Sequence, residues 1–202
     1  SIAVFGPDCP NHAPQITPLN PTTTYGKTKV TGEIMAKYYW EVHGVDVRGL
    51  RYPGLISWKA PAGGGTTDYA VDIFHHAIMS GKYSCFVGPN TRLPMMYMDD
   101  AIRATLELMD APVESISDAR GGYNISGCSF SVTELVAEIS KVIDPFECTY
   151  SPDIRQEYAD SWPDSVDDTE ASNDWGWNAE FGLEQLVNEM LTNLTRAREV
   201  EA

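Results

Sequence analysis

The sequence predicts an α/β fold with a largely parallel sheet, and two observations carry that prediction. Short apolar runs of strand length alternate along the 202 residues with segments of helical periodicity, and Gly or Pro punctuates many of the junctions between them. The opening run, Ser1-Ile2-Ala3-Val4-Phe5-Gly6, is apolar without alternation, as expected of a buried parallel strand that ends in the Gly6-Pro7 turn.

Residues 7 to 21 contain five prolines, which excludes regular structure and predicts a long functional loop. From about Thr24 to His43 the pattern is helical: Val30, Ile34, Tyr38 and Val42 recur at i+4, Thr31, Met35 and Tyr39 widen the stripe, and Gly44 supplies the stop. Val45 to Tyr52 reads as a strand, broken by Pro53-Gly54. A flexible glycine-rich loop at 61 to 65 leads into a helix over about Asp68 to Met79. Strands follow at Tyr83 to Val87 and Met95 to Met98, and Asp99 or Asp100 is placed to cap a helix carrying Ile102, Leu106 and Met109.

Tyr123 to Ser126 is a further strand. Ser131-Val132-Thr133-Glu134 is a capping box opening an amphipathic helix with Leu135, Val136, Ile139, Val142 and Ile143 on one face. After a strand near Phe146 to Tyr150 comes an irregular stretch rich in Trp and Asp, in which Asp167-Asp168 is placed to cap a helix. The last helix carries Leu183, Leu186, Val187, Met190, Leu191 and Leu194, and the charged tail at 196–202 is expected to fray.

Fourteen Lys and Arg against 29 Asp and Glu give a formal charge of -15, which repels phosphate backbones and anionic lipid surfaces. Nucleic acid and membrane partners are therefore not expected. No apolar run reaches the roughly 20 residues that span a bilayer. The four cysteines (Cys9, Cys85, Cys128, Cys148) are widely spaced and form no ligand pattern, which predicts reduced thiols, no metal site and a reducing compartment.

Chemistry concentrates in Tyr25-Gly26-Lys27-Thr28-Lys29. The phenol of Tyr25 and the ammonium of Lys29 stand four residues apart on a predicted helix, so both project from one face. An unperturbed phenol titrates near pH ~10, and a cation a few ångströms away favours the phenolate, so the pair can form a proton-transfer unit. Pairs at this spacing also arise on solvated helix surfaces.

The order of features narrows the choice. Ser1 in an apolar run, a Pro-rich loop, Y-x-x-x-K at a helix start, and then Leu50-Arg51-Tyr52-Pro53-Gly54 together resemble the extended short-chain dehydrogenases, nucleotide-sugar epimerases included. Leu50 to Trp58, Gly63 to Val71, Pro94 to Ala101 and Asp160-Ser161-Trp162-Pro163 look like the short-chain type of L-threonine 3-dehydrogenase, and the likeness extends from Ser1 to about Leu194.

The resemblance implies the C-terminal part of a Rossmann-type fold with a small α/β substrate domain. The NAD-binding portion would be 1–60, with helical returns near 68–80 and 99–110, and the substrate-binding region 61–98 and 111–195. It implies NAD-dependent oxidation of L-threonine to 2-amino-3-oxobutyrate, in threonine catabolism. Tyr25 would be the base, Lys29 would favour its phenolate and hold the nicotinamide ribose, and Ser1 would hydrogen-bond the reacting oxygen. The backbone of Pro53, Gly54 and Leu55 would lie beside the nicotinamide.

Thr66, Thr67 and Asp68 form a substrate-contacting group, a role compatible with Thr67 or Asp68 capping the next helix. Trp162 is either a lid over the small-molecule pocket or a packing residue at the domain edge.

The G-x-G-x-x-G turn that binds a dinucleotide pyrophosphate occurs nowhere in the sequence. The expectation is a chain lacking that N-terminal segment and inactive alone. Two other readings stay open: a nucleotide-sugar epimerase or dehydratase, and an inactive dimerising fragment. Against the first, no basic cluster for a diphosphate follows position 55. The helix at 24–43 carries apolar residues on more than one face, as expected of a homodimer contact. The compartment expected is the cytoplasm, or the mitochondrial matrix in a eukaryote.

Overall fold

The computed structural model describes residues 1–201. A two-residue strand β1 (His12–Ala13) precedes helix α1 (Thr24–His43), followed by β2 (Leu50–Arg51), β3 (Gly54–Ile56) and α2 (Tyr69–Ser80). Then come β4 (Lys82–Cys85), β5 (Arg92–Tyr97) and α3 (Met98–Asp110). The remainder runs β6 (Tyr123–Asn124), β7 (Cys128–Ser131), α4 (Val132–Ser140), β8 (Glu147–Tyr150), α5 (Ile154–Ala159), β9 (Ser165–Val166), α6 (Thr169–Trp175) and α7 (Leu183–Glu201).

The pairings β1 with β9, β2 with β6, β3 with β5 and β4 with β8 are parallel, and β7 runs antiparallel to β5. Strand β5 divides the molecule. Because side chains alternate across a strand, Met95 enters a core built with α2, α4 and α7, while Met96 enters a second core with α3 and α6. A third cluster gathers Ile2, Val4, Phe5, Ala13 and Val166.

Local chemistry sets the helix ends. Thr23 caps α1 through a 3.0 Å bond from the Gly26 N–H, and Gly44 closes it in the left-handed conformation at φ 66°. The Ser131–Glu134 capping box forms at the start of α4.

Several expectations are corrected. Ile2–Val4 is a buried 3-10 turn and not a strand: Val4 and Phe5 donate back to Ser1 and Ile2, and the Ser1 hydroxyl caps Ala3, so these amides need no ladder. An apolar run of this length does not distinguish strand from buried turn by periodicity. The strand expected over Val45 to Tyr52 shrinks to Leu50–Arg51, because Arg48 folds onto Asp46 and reaches the carbonyls of Leu108 and Ala111.

Helix α3 faces the other way from its expected stripe. Ile102, Leu106 and Met109 are exposed, and Ala101, Ala104 and Leu108 let the helix approach the sheet closely. Asp100 does not cap it. Its buried carboxylate accepts from the N–H groups of Glu180 and Phe181 and from Arg103. At α6 the Asp167 carboxylate accepts from the Thr169 N–H, whereas Asp168 turns inward to Ser126 and Trp177. Helix α7 spans Leu183–Glu201, and Ala202 lies outside the described residues.

Candidate active site

Nine of the ten residues singled out from the sequence line one cavity of about 880 Å³: Ser1, Tyr25, Lys29, Pro53, Gly54, Leu55, Thr66, Thr67 and Trp162. Elements distant in sequence supply them. The Ser1 turn is tied to the end of β2 by the Ile2 N–H, which donates to the Tyr52 carbonyl at 2.9 Å. Helix α1 abuts the same turn at Gly26, where a Cβ would stand 2.2 Å from the Ala3 carbonyl oxygen and 2.6 Å from Pro21 Cβ. The glycine inside Tyr-Gly-Lys is therefore what lets the phenol and the hydroxyl share a cavity.

Tyr25 is 56% exposed on the first turn of α1, with the Lys29 ammonium 5.2 Å from the centre of its ring. The Ser1 hydroxyl accepts from the Ala3 N–H at 3.2 Å, and its own O–H remains free to donate to a ligand. Opposite, the backbone at Gly54 forms the wall, because Met95 Sδ and Thr67 Cβ would lie 2.3 and 2.8 Å from any Cβ there. Thr67 thus packs directly on the chain segment expected beside a nicotinamide.

Asp68 does not line the cavity. Its carboxylate accepts from the N–H groups of Gly63 at 2.7 Å and Gly65 at 2.9 Å, closing the glycine loop on itself, and it makes no cap to α2. It reaches the cavity only through the loop that carries Thr66 and Thr67.

Tyr158, Glu33 and Tyr52 are among the other lining residues, and the sequence reading gave none of them a role there. Tyr158 lies one turn before Trp162, and that i, i+4 spacing across the end of α5 was its one signal. Glu33 follows Lys29 by four residues on α1. Tyr52 contributes the ring whose hydroxyl bonds Thr105. Among the described residues, Lys29 and Glu33 are the charged side chains of the lining, so Lys29 is its one side-chain cation.

A mitochondrial L-threonine 3-dehydrogenase of Bos taurus is 50% identical over 95% of this chain and 51% of its own length. The GalE-like L-threonine dehydrogenase of Cupriavidus necator, in its holo form, superposes with a TM-score of 0.94 at 54% identity, covering 96% of this chain and 63% of that one. A monomeric L-threonine 3-dehydrogenase of metagenomic origin gives a TM-score of 0.94 at 57% identity, covering 98% and 64%. The chain spans about half the length of the curated mammalian relatives it matches. The NAD dependent epimerase/dehydratase family matches residues 1–126, and with the Ser1, Tyr25 and Lys29 constellation in one cavity, the chain belongs to that family.

Proposed function

We propose that these residues serve the NAD-dependent oxidation of L-threonine to 2-amino-3-oxobutyrate. The observation that carries the reading is the convergence of Ser1, Tyr25 and Lys29 with Thr66, Thr67 and Trp162 in one cavity, in a chain about half identical to proteins named for that activity.

Tyr25 takes the proton of the substrate 3-hydroxyl, with the Lys29 ammonium 5.2 Å from the centre of its ring. The free Ser1 O–H donates to the same oxygen and holds it toward Tyr25. The cofactor these residues would hold, NAD, would supply the hydride acceptor for carbon 3. Lys29 and the backbone of Pro53, Gly54 and Leu55, which line the cavity, would hold the nicotinamide and its ribose. Thr66 and Thr67 offer hydroxyls to the ammonium and carboxylate of the amino acid, and Trp162 with Tyr158 covers it.

A nucleotide sugar is the less favoured substrate, since Lys29, the one side-chain cation of the lining among the described residues, offers no cluster for a diphosphate. Ile34, Met35, Tyr38, Tyr39 and Val42 are exposed along α1 and supply an apolar face for a homodimer contact. Two relatives carry a mitochondrial name, and a mitochondrial matrix or a cytoplasm is the compartment proposed. The test is NADH formation by the full-length gene product with L-threonine against a UDP-sugar. Reduction with threonine alone supports the reading, and reduction with neither, or with the sugar alone, rejects it.

A further inference from the structure

Helix α1 abuts the Ser1 turn at Gly26 and meets the turn near Gly121, where the Arg120 guanidinium stands 3.5 Å from the centre of the Trp40 ring. Of its 20 residues only Gly26 is buried, and much of its apolar surface points to solvent. Yet this helix carries Tyr25 and Lys29.

Glu33 lies one turn beyond Lys29 and two beyond Tyr25, on the same face. Its carboxylate meets the guanidinium of Arg51 in a two-pronged pair: Nε donates to the two oxygens at 3.0 and 3.2 Å, and Nη2 donates at 2.8 Å. Both side chains are withdrawn from water, Arg51 to 7% exposure and Glu33 to 16%. The other arm of Arg51, Nη1, donates to the Gln15 carbonyl at 3.2 Å and to Asn124 Oδ1 at 3.1 Å. Its guanidinium carbon also stands 5.6 Å from the centre of the Phe5 ring, in the segment that begins with Ser1. Arg51 itself precedes Pro53 by two residues. One side chain thus touches α1, the Ser1 segment and the Pro-rich loop, and sits on the strand leading to the nicotinamide wall.

We infer that Arg51 and Glu33 are positioning residues: their ion pair fixes α1 against the Ser1 segment and the Pro53–Leu55 wall and so sets the proton-transfer geometry. Burying such a pair is commonly no better for stability than an apolar pair of similar volume, so stability gives no reason to choose it. Its fixed fork geometry gives one, because it restrains rotation as well as distance. By contrast Lys37–Glu41, on the same helix, is 55% exposed on both sides and restrains nothing outside the helix. The inference rests on the proposed roles of Tyr25 and Lys29.

Three variants test it in the full-length gene product: Glu33→Gln, Arg51→Lys and Gly122→Ala. The third keeps both charges, because a Cβ at Gly122 would stand 2.5 Å from Glu33 Cδ and displace the carboxylate. The inference predicts that kcat falls roughly 10-fold or more while the KM for threonine stays within about 3-fold, since misplacement by about 1 Å acts on the reacting geometry. The low-pH limb of kcat/KM also moves. Folded variants with wild-type kcat and pH profile overturn it. So does loss of activity in step with loss of folded protein, when the surviving fraction keeps the wild-type profile.

If the wild type fails to oxidise threonine, the functional reading falls first. The phenol titration of Tyr25, taken as the ultraviolet difference between each chain and its Tyr25→Phe counterpart, then decides the inference. A titration that moves in Gly122→Ala and Glu33→Gln upholds it, and an unmoved one overturns it.

Discussion

The Lys29 ammonium sits 5.2 Å from the centre of the Tyr25 ring, one turn along the same helix. This pair lines a cavity whose other walls come from five separate segments.

Tyr25→Phe removes only the hydroxyl of a half-exposed ring. Its stability should stay within about 0.5 kcal/mol of wild type by urea unfolding. Its kcat with threonine should fall by roughly 100-fold or more, with little change in KM.

Gly26→Ala should act on both folding and chemistry. The added Cβ would stand 2.2 Å from the Ala3 carbonyl oxygen, a backbone atom with little room to yield. A loss of about 1–3 kcal/mol in urea unfolding is expected, although alanine is the better helix former. An unchanged or raised midpoint would show that α1 and the Ser1 turn do not meet as described.

Trp162→Ala should open the cavity it shares with Tyr158. The KM for threonine is expected to rise by roughly 10-fold, more than kcat falls, as for a group that covers substrate without reacting. Steady-state kinetics at saturating NAD separates the two effects.

Alkaline pH should unfold the protein by a defined route. Burial pushes the thiol of Cys85 up to about 11 and that of Cys128 up to about 12, and the phenols of Tyr97 and Tyr123 up to about 12. Each group is held neutral in the folded chain above its value of about 8.5 or 10 in the unfolded one. Their contribution is therefore complete below about pH 8.5 and is lost as pH rises toward 12. Thermal midpoints should be level from about pH 7 to 8.5 and fall beyond it, and native Cys85 and Cys128 should resist alkylation near pH 8.

Local signals were legible in the sequence and long-range ones were not. Tyr25 and Lys29 are readable because four-residue spacing on a helix places side chains together whatever the tertiary structure. Ser131 with Glu134, and Gly44, are legible for the same reason. The Arg51–Glu33 pair joins residues 18 apart, and Gln15 reaches across 109 positions to the Asn124 N–H, so no periodicity announces either. Helix α3 misled because the larger apolar residues, Ile102, Leu106 and Met109, outrank alanine on any hydropathy scale. Close approach to the sheet instead selected the small face. Asp68 follows Thr66 and Thr67 in sequence, yet its carboxylate accepts from the Gly63 and Gly65 N–H groups, a loop closure that no local pattern announces.

The central claim is that hydride leaves carbon 3 of threonine as Tyr25 takes the hydroxyl proton. It is tested most directly with L-threonine deuterated at carbon 3, turned over by the full-length gene product with NAD. The account predicts deuterium in the reduced nicotinamide and loss of that transfer in Tyr25→Phe. Reduced nicotinamide without the label, or no reduction at all, would contradict it.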